Sequence, residues 1–146
     1  MSMAASRELA AVSGLGVLLF LAGCSDAVPP GALVLTQTPV QSVGRSMPIT
    51  QADVWYPAGS RVVLAWPGNR VKVLSSGLVS AGSPAISLDG KSVLFAGKAS
   101  ELADWQIYQT PITGGEPTVL TSLSGGAMSP ALLPDGRFVF SSPVPK

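Results

Sequence analysis

The chain contains no histidine and a single cysteine, Cys24, among its 146 residues. Without histidine, a Ser-His-Asp or Cys-His catalytic group and the usual histidine-containing zinc sites are excluded. A lone cysteine also excludes an intrachain disulfide. Charged residues make up only 12% of the chain, and the net charge is +1. This balance gives no electrostatic basis for binding nucleic acid or an anionic membrane surface.

Glycine and proline are abundant where charge is scarce. The chain has 16 glycines and 13 prolines, a composition rich in turns and poor in the glutamate, lysine and arginine that surface helices use. We therefore expect an all-β fold.

The N-terminal region has the form of an export signal. Arg7 precedes an apolar run, Leu9 to Leu21, that is too short for a permanent transmembrane helix and suits a signal peptide. The run ends in Leu21-Ala22-Gly23-Cys24, which resembles the lipobox of bacterial lipoproteins. The resemblance implies cleavage between Gly23 and Cys24 and transfer of a diacylglyceryl group to the Cys24 thiol. The other interpretation is a buried cysteine in an apolar helix.

The lipobox resemblance also implies a location. Ser25 follows Cys24, and in Gram-negative lipoproteins an aspartate at that position signals retention in the inner membrane. We therefore expect a lipid-anchored protein of the cell envelope, held at the outer membrane and facing the periplasm. Two or three acyl chains give a stable membrane anchor.

The chain divides into three parts on this interpretation. Residues 1–23 are the signal peptide, residues 24–51 a Pro/Gly-rich tether, and residues 52–146 the folded body. Proline favours extended chain in the tether because it fixes φ and removes a hydrogen-bond donor. The apolar run Leu33 to Leu35 inside this segment has an alternative interpretation as the first strand of the folded body.

The folded body repeats itself. Ser83–Ala96 and Ser129–Ser142 align without a gap at an offset of 46 residues, and a period in the forties with several short strands is typical of β-propeller blades. A fainter copy is expected at Trp55–Ala65, where Gly59 lies 31 residues before Gly90.

Each repeat predicts a hairpin. Asp89-Gly90 and Asp135-Gly136 lie between apolar runs, where glycine accepts positive φ and aspartate can bond its own backbone. The strands after these turns are apolar at successive positions, which indicates burial on both faces. Further strands at Trp105–Thr110 and Pro117–Thr121, joined through a turn at Gly114-Gly115, complete a four-stranded antiparallel blade.

The order of these motifs between Ser83 and Thr121 resembles the WD40-like repeat of the TolB family of β-propellers. The segment 133–142 also resembles propeller segments of proteins similar to the hydrazine synthase alpha subunit. These resemblances imply a partial propeller of about two to three blades. Because closure generally needs four or more blades, we expect a fragment of a longer protein. The alternative is a complete small protein that self-associates through open sheet edges.

Two classes of function remain. The TolB resemblance implies a non-catalytic module that binds an envelope protein or a glycan. The acidic residues fall in no metal-ligand spacing, and we expect no metal and no cofactor. The alternative is the propeller portion of a larger exported enzyme, a prolyl-oligopeptidase-like peptidase or a hydrazine-synthase-alpha-like redox protein, whose catalytic part lies beyond Lys146. Trp55, Trp105 and Tyr108 are expected to pack between blades in either case.

Overall fold

The computed structural model describes residues 28–40 and 56–143. The signal peptide, Cys24 and Trp55 lie outside the described residues. No helix in the described ranges is long and apolar enough to cross a membrane. Strands provide the regular structure of these ranges: Leu33–Gln37 (β1), Arg61–Trp66 (β2), Arg70–Val73 (β3), Ser80–Ile86 (β4), Ser92–Lys98 (β5), Gln106–Pro111 (β6), Thr118–Val119 (β7), Met128–Leu132 (β8) and Phe138–Ser141 (β9).

The strands form three antiparallel sheets. The first sheet has the order β1-β2-β3, the second β4-β5-β6-β7 and the third β8-β9. All neighbouring strands are antiparallel. The all-β prediction is confirmed, and so is the four-stranded unit. The arrangement is that of a partial propeller.

The second sheet is packed between the other two. Along β5, Val93 and Phe95 join the core shared with the first sheet, whereas Leu94 and Ala96 join the core shared with the third. None of these four residues is more than 2% exposed. Side chains of a strand alternate between faces, so a strand covered on both sides must be apolar at successive positions. The predicted burial of this strand on both faces is confirmed.

The second and third sheets repeat backbone detail as well as sequence. A bulge interrupts the pairing between Gly82 and Ala85, and another lies between Met128 and Ala131. Ser83 and Ser129 have φ angles of 53° and 51°, a conformation that few residues other than glycine adopt. The 46-residue repeat therefore preserves an uncommon local geometry at Ser-Pro.

The gapless alignment fails after the Asp-Gly turns. In the second sheet Ile86 pairs with Val93, but in the third sheet Leu132 pairs with Phe138. A gapless alignment would place Val139 opposite Leu132. Because a one-residue change of register turns side chains to the other face, Phe138 packs toward the second sheet and Val139 is 49% exposed.

A hydroxyl group explains why the earlier hairpin is wider. Ser87 Oγ accepts a 2.9 Å hydrogen bond from the Ser92 N–H and donates a 2.6 Å bond to Asp89 Oδ1. Leu133 occupies the position of Ser87 in the later repeat and has no hydroxyl. In both hairpins the backbone also bonds directly: the Ser87 N–H reaches the Ser92 carbonyl at 2.9 Å, and the Leu133 N–H reaches the Arg137 carbonyl at 2.8 Å, so the later loop is one residue shorter.

The expected burial of β9 on both faces is wrong for the described part of the chain. Val139 is 49% exposed and Phe140 is 36% exposed. The reason is that, within residues 28–40 and 56–143, a sheet covers only one face of β9.

The fainter copy at Trp55–Ala65 also needs correction. The Val62 N–H donates to Ser75 Oγ at 3.1 Å, and the Ile107 N–H donates to Thr121 Oγ1 at 2.9 Å. Ser75 and Thr121 are again 46 residues apart. Accordingly β2 corresponds to β6 and β3 to β7, and the offset of 31 arose from matching β2 with β5.

The segment Leu33 to Leu35 belongs to a sheet. It lies in β1, which pairs with β2 from Leu33↔Ala65 to Gln37↔Arg61. The run is therefore the first strand of the folded body, which was the alternative to its being part of the tether. By its place beside β2, β1 corresponds to β5 of the second sheet.

Phe95 provides a test of the packing of the second sheet. We expect Phe95→Ala to lower the free energy of unfolding by about 3–5 kcal/mol, because the ring is fully buried and the space cannot refill completely. Urea unfolding of the chain measures this change. Leu102→Ala is the control, since Leu102 is 99% exposed. Equal effects of the two substitutions would contradict the packing described.

Candidate functional site

The residues of the predicted Asp89-Gly90 turn lie at one end of the sheets, which we call the turn end. Asp89 Oδ1 accepts hydrogen bonds from the Ser87 hydroxyl at 2.6 Å and from the Lys91 N–H at 3.0 Å. The Ser87 bond, followed by the Lys91 N–H, lowers the pKa of Asp89 from its ordinary value. Gly90 has a φ of 68°, which glycine adopts without steric cost.

The Asp135-Gly136 turn is built in the same way. Asp135 Oδ1 accepts from the Arg137 N–H at 3.0 Å, and Oδ2 accepts from Arg137 Nε at 2.8 Å. The Arg137 side chain, followed by its N–H, lowers the pKa of Asp135. Gly136 has a φ of 86°. The bonds of both aspartates are made within their own turns, which is a structural use of the carboxylates.

The third predicted turn, at Gly114-Gly115, also lies at the turn end. The Gly114 N–H bonds the Pro111 carbonyl at 2.8 Å. A Cβ at Gly114 would lie 2.6 Å from Lys72 Cε, and the Lys72 ammonium donates to the Thr113 carbonyl. Gly114 has a φ of 92°, so glycine is favoured at this point, where the second sheet touches the first.

A cleft of about 240 Å³ lies at the opposite end of the sheets. The connection before β2, the start of β4, the end of β5 and the loop before β6 meet there. We call this the rim cleft. Its lining residues are Tyr56, Ala58, Val79, Ser80, Lys98, Glu101 and Trp105.

Tyr56 forms the fixed wall of the rim cleft. Its hydroxyl shares a 3.0 Å hydrogen bond with Ser83 Oγ, and its carbonyl accepts a 2.7 Å bond from Ser80 Oγ. A Cβ at Gly82 would lie 2.5 Å from the Tyr56 ring, so that glycine makes room for it. The ring is tilted by 59° against Trp105, with centroids 6.1 Å apart.

Two groups of opposite charge stand beside this aromatic pair. Lys98 is half-buried at the end of β5, and Glu101 is exposed in the loop that follows. The lining therefore combines aromatic rings with side chains of both charges, residue types that occur in ligand-binding clefts. Within the described ranges, no group of three His, Cys, Asp or Glu side chains could hold a metal ion.

Tyr108 and Trp105 pack between sheets, as expected. Tyr108 is 9% exposed in the core between the first and second sheets, and burial raises its pKa. Trp105 is 7% exposed in the core between the second and third sheets, although its edge also lines the rim cleft. Lys98, Ser80 and Tyr56 were not singled out from the sequence, because no motif connects them.

One solved structure that the chain resembles is Kuenenia stuttgartiensis hydrazine synthase. The similarity has a TM-score of 0.58 and 26% sequence identity, and covers 81% of this chain. Hydrazine synthase is a β-propeller-containing protein. The chain spans only 17% of the chain that it matches there.

No model of a known protein family matches the chain, and no curated protein matches it. The support for a propeller-like all-β fold comes from the structural likeness to hydrazine synthase.

The Asp89 turn predicts a pH dependence of stability. Because the pKa of Asp89 is lowered in the folded state, its carboxylate stabilises the fold above the unfolded-state pKa, and this contribution is lost as pH falls through the folded-state pKa. We expect the free energy of unfolding to fall as the pH drops below 3.8, the ordinary pKa of this carboxyl. Asp89→Asn should reduce that fall, whereas Leu102→Ala, an exposed substitution that removes no titratable group, should leave it unchanged. Urea unfolding at several pH values measures both, and identical pH profiles for the two variants would contradict the assignment.

Proposed function

We propose that this protein is a non-catalytic, TolB-like propeller module that binds an envelope protein or a glycan through the rim cleft. The observation that carries the proposal is the placement of four side chains around one cleft at the end of the sheets opposite the turn end: Tyr56, Trp105, Lys98 and Glu101. The Asp89 and Asp135 carboxylates are used within their turns at the other end. Loops held by a rigid scaffold are the usual place for binding residues.

A soluble peptidoglycan fragment is a suitable first probe of the glycan interpretation. We expect it to change the tryptophan fluorescence of the chain on binding, because Trp105 borders the cleft. Lys98→Ala and Glu101→Ala should each weaken binding by about tenfold, the effect of losing one charged hydrogen bond.

Asp89→Asn is the matched control for that titration, since it also removes a charge but lies at the turn end. It should bind the fragment as the unaltered chain does. Equal weakening by all three substitutions, or no binding of the fragment, would count against the glycan interpretation. A protein partner would then be sought with the same variants.

We also propose that the module is anchored by lipid on Cys24 at the outer membrane. The support is the apolar run that ends in Leu-Ala-Gly-Cys, together with Ser25 at the next position. An anchored module would present its rim cleft to other molecules of the periplasm.

Replacement of the cysteine tests the anchor. In bacteria fed an alkyne-labelled fatty acid, the unaltered chain should become labelled and Cys24→Ala should not, because the Cys24 thiol is the acceptor in a lipobox. Ser25→Ala preserves the thiol and should be labelled normally. Labelling and normal processing of Cys24→Ala would refute lipidation at this residue.

The likeness to hydrazine synthase favours a second candidate, the propeller portion of a larger exported enzyme. The likeness covers 81% of this chain but 17% of the other. Reading the DNA beyond the codon for Lys146 distinguishes the candidates. Heme-attachment Cys-x-x-Cys-His motifs there would favour a redox protein, and a Gly-x-Ser-x-Gly motif would favour a peptidase. If the frame contains neither motif, the binding module remains the favoured function.

A further inference from the structure

We call β4 and β8 the inner strands of the second and third sheets, and the edge of the first sheet that β1 forms its inner edge. This edge differs from those of the other two sheets. In the second sheet β4 lies beside β5, and in the third sheet β8 lies beside β9. β1 corresponds to β5, yet no strand in the described part of the chain pairs with its other edge.

The direction of the backbone groups on β1 follows from the pairing of β2. The Val62 carbonyl accepts a 2.9 Å hydrogen bond from the Leu74 N–H, so the backbone of Val62 faces β3. In an antiparallel sheet the next residues along β2 face the opposite way, toward β1. Leu35, opposite Val63, therefore bonds to β2, whereas the N–H and C=O groups of Val34 and Thr36 point to the unpaired edge.

The sequence of β1 carries neither of two common protections against strand pairing. Natural edge strands are guarded by charged residues, especially lysine, or by proline. β1 reads Leu-Val-Leu-Thr-Gln and carries neither. The edge strand at the other side of the same sheet, β3, carries Arg70 and Lys72. The two edge strands of the first sheet therefore differ in charge.

The neighbouring inner strands define what fits beside β1. β4 and β8 contain the same Ser-Pro-Ala sequence, and both bend at a bulge next to the serine. β4 packs beside both β1 and β8. The buried residues at the start of β4 are all small: Ser80, Ala81 and Gly82. A strand added to β1 would continue this row of inner strands.

We propose that the inner edge of β1 binds an extended Ser-Pro-Ala strand supplied by another polypeptide, by β-strand addition through Val34 and Thr36. Main-chain hydrogen bonds would hold the strand, and the need for small side chains facing β4 would select it. This surface is separate from the rim cleft, so the proposal does not depend on the cleft binding a ligand.

A synthetic peptide tests the proposal directly. The probe is a fluorescein-labelled peptide with the sequence of residues 78–88, which includes β4, titrated with the full chain and followed by fluorescence anisotropy. We expect saturable binding. Thr36→Pro should weaken it at least about tenfold, since proline removes the outward N–H without removing a bond to β2. Thr36→Val, which preserves that N–H, should bind within about twofold of the unaltered chain.

A modified peptide keeps the test decisive if Thr36→Pro fails to fold. Two versions of the peptide carry methyl groups on alternate backbone nitrogens, and the methylated positions of one version are shifted by one residue from those of the other. Each version therefore has one hydrogen-bonding edge blocked. The version blocked at the edge that faces β1 should lose binding to the unaltered chain, and the other should retain it. The proposal is overturned by no binding at about 1 mM peptide, the weak limit of specific recognition. It is also overturned if both methylated versions bind equally well. Binding of a same-length peptide of alternating valine and glutamate as tightly as the residue 78–88 peptide would overturn it too.

Discussion

Burial of β5 on both faces is the constraint on which the rest of the molecule depends. The strand lies in the middle of the second sheet, with Phe95 in one core and Leu94 in the other. Each core needs a different neighbouring sheet to complete it, so neither face of the second sheet is stable alone. A repeat architecture follows from this need, because a unit that cannot bury its own surface must stack with others.

Stacking divides the molecule into two ends with different uses. Tight turns at one end join consecutive strands and use their own polar groups, as when Asp135 binds Arg137. Longer connections meet at the other end, where Tyr56 of one connection packs against Trp105 of another. Separate repeats also touch in the shared cores and at the turn end, where Lys72 donates to the Thr113 carbonyl. The rim cleft, however, lies at the second end, where residues of different connections line it.

The edges and faces of the stack are where the molecule remains open to other chains. Leu33 is 65% exposed on the outer face of the first sheet, and Val139 is 49% exposed on that of the third. In the second sheet, the positions corresponding to these residues are buried by a neighbouring sheet. Apolar exposure of this regular kind results from the repeat geometry and is distinct from the scattered apolar residues of ordinary surfaces.

The sequence by itself determined the all-β class, the Asp-Gly turns and the burial of β5, because each depends on local properties: glycine at positive φ, aspartate bonding its own backbone, and an uninterrupted apolar run. Tertiary structure alone decided the correspondence of β2 with β6 and the register of β9. Both depend on which partner a backbone N–H finds, as Val62 finds Ser75. The rim cleft was also beyond sequence reasoning, since Tyr56, Lys98 and Trp105 become neighbours only when adjacent sheets pack.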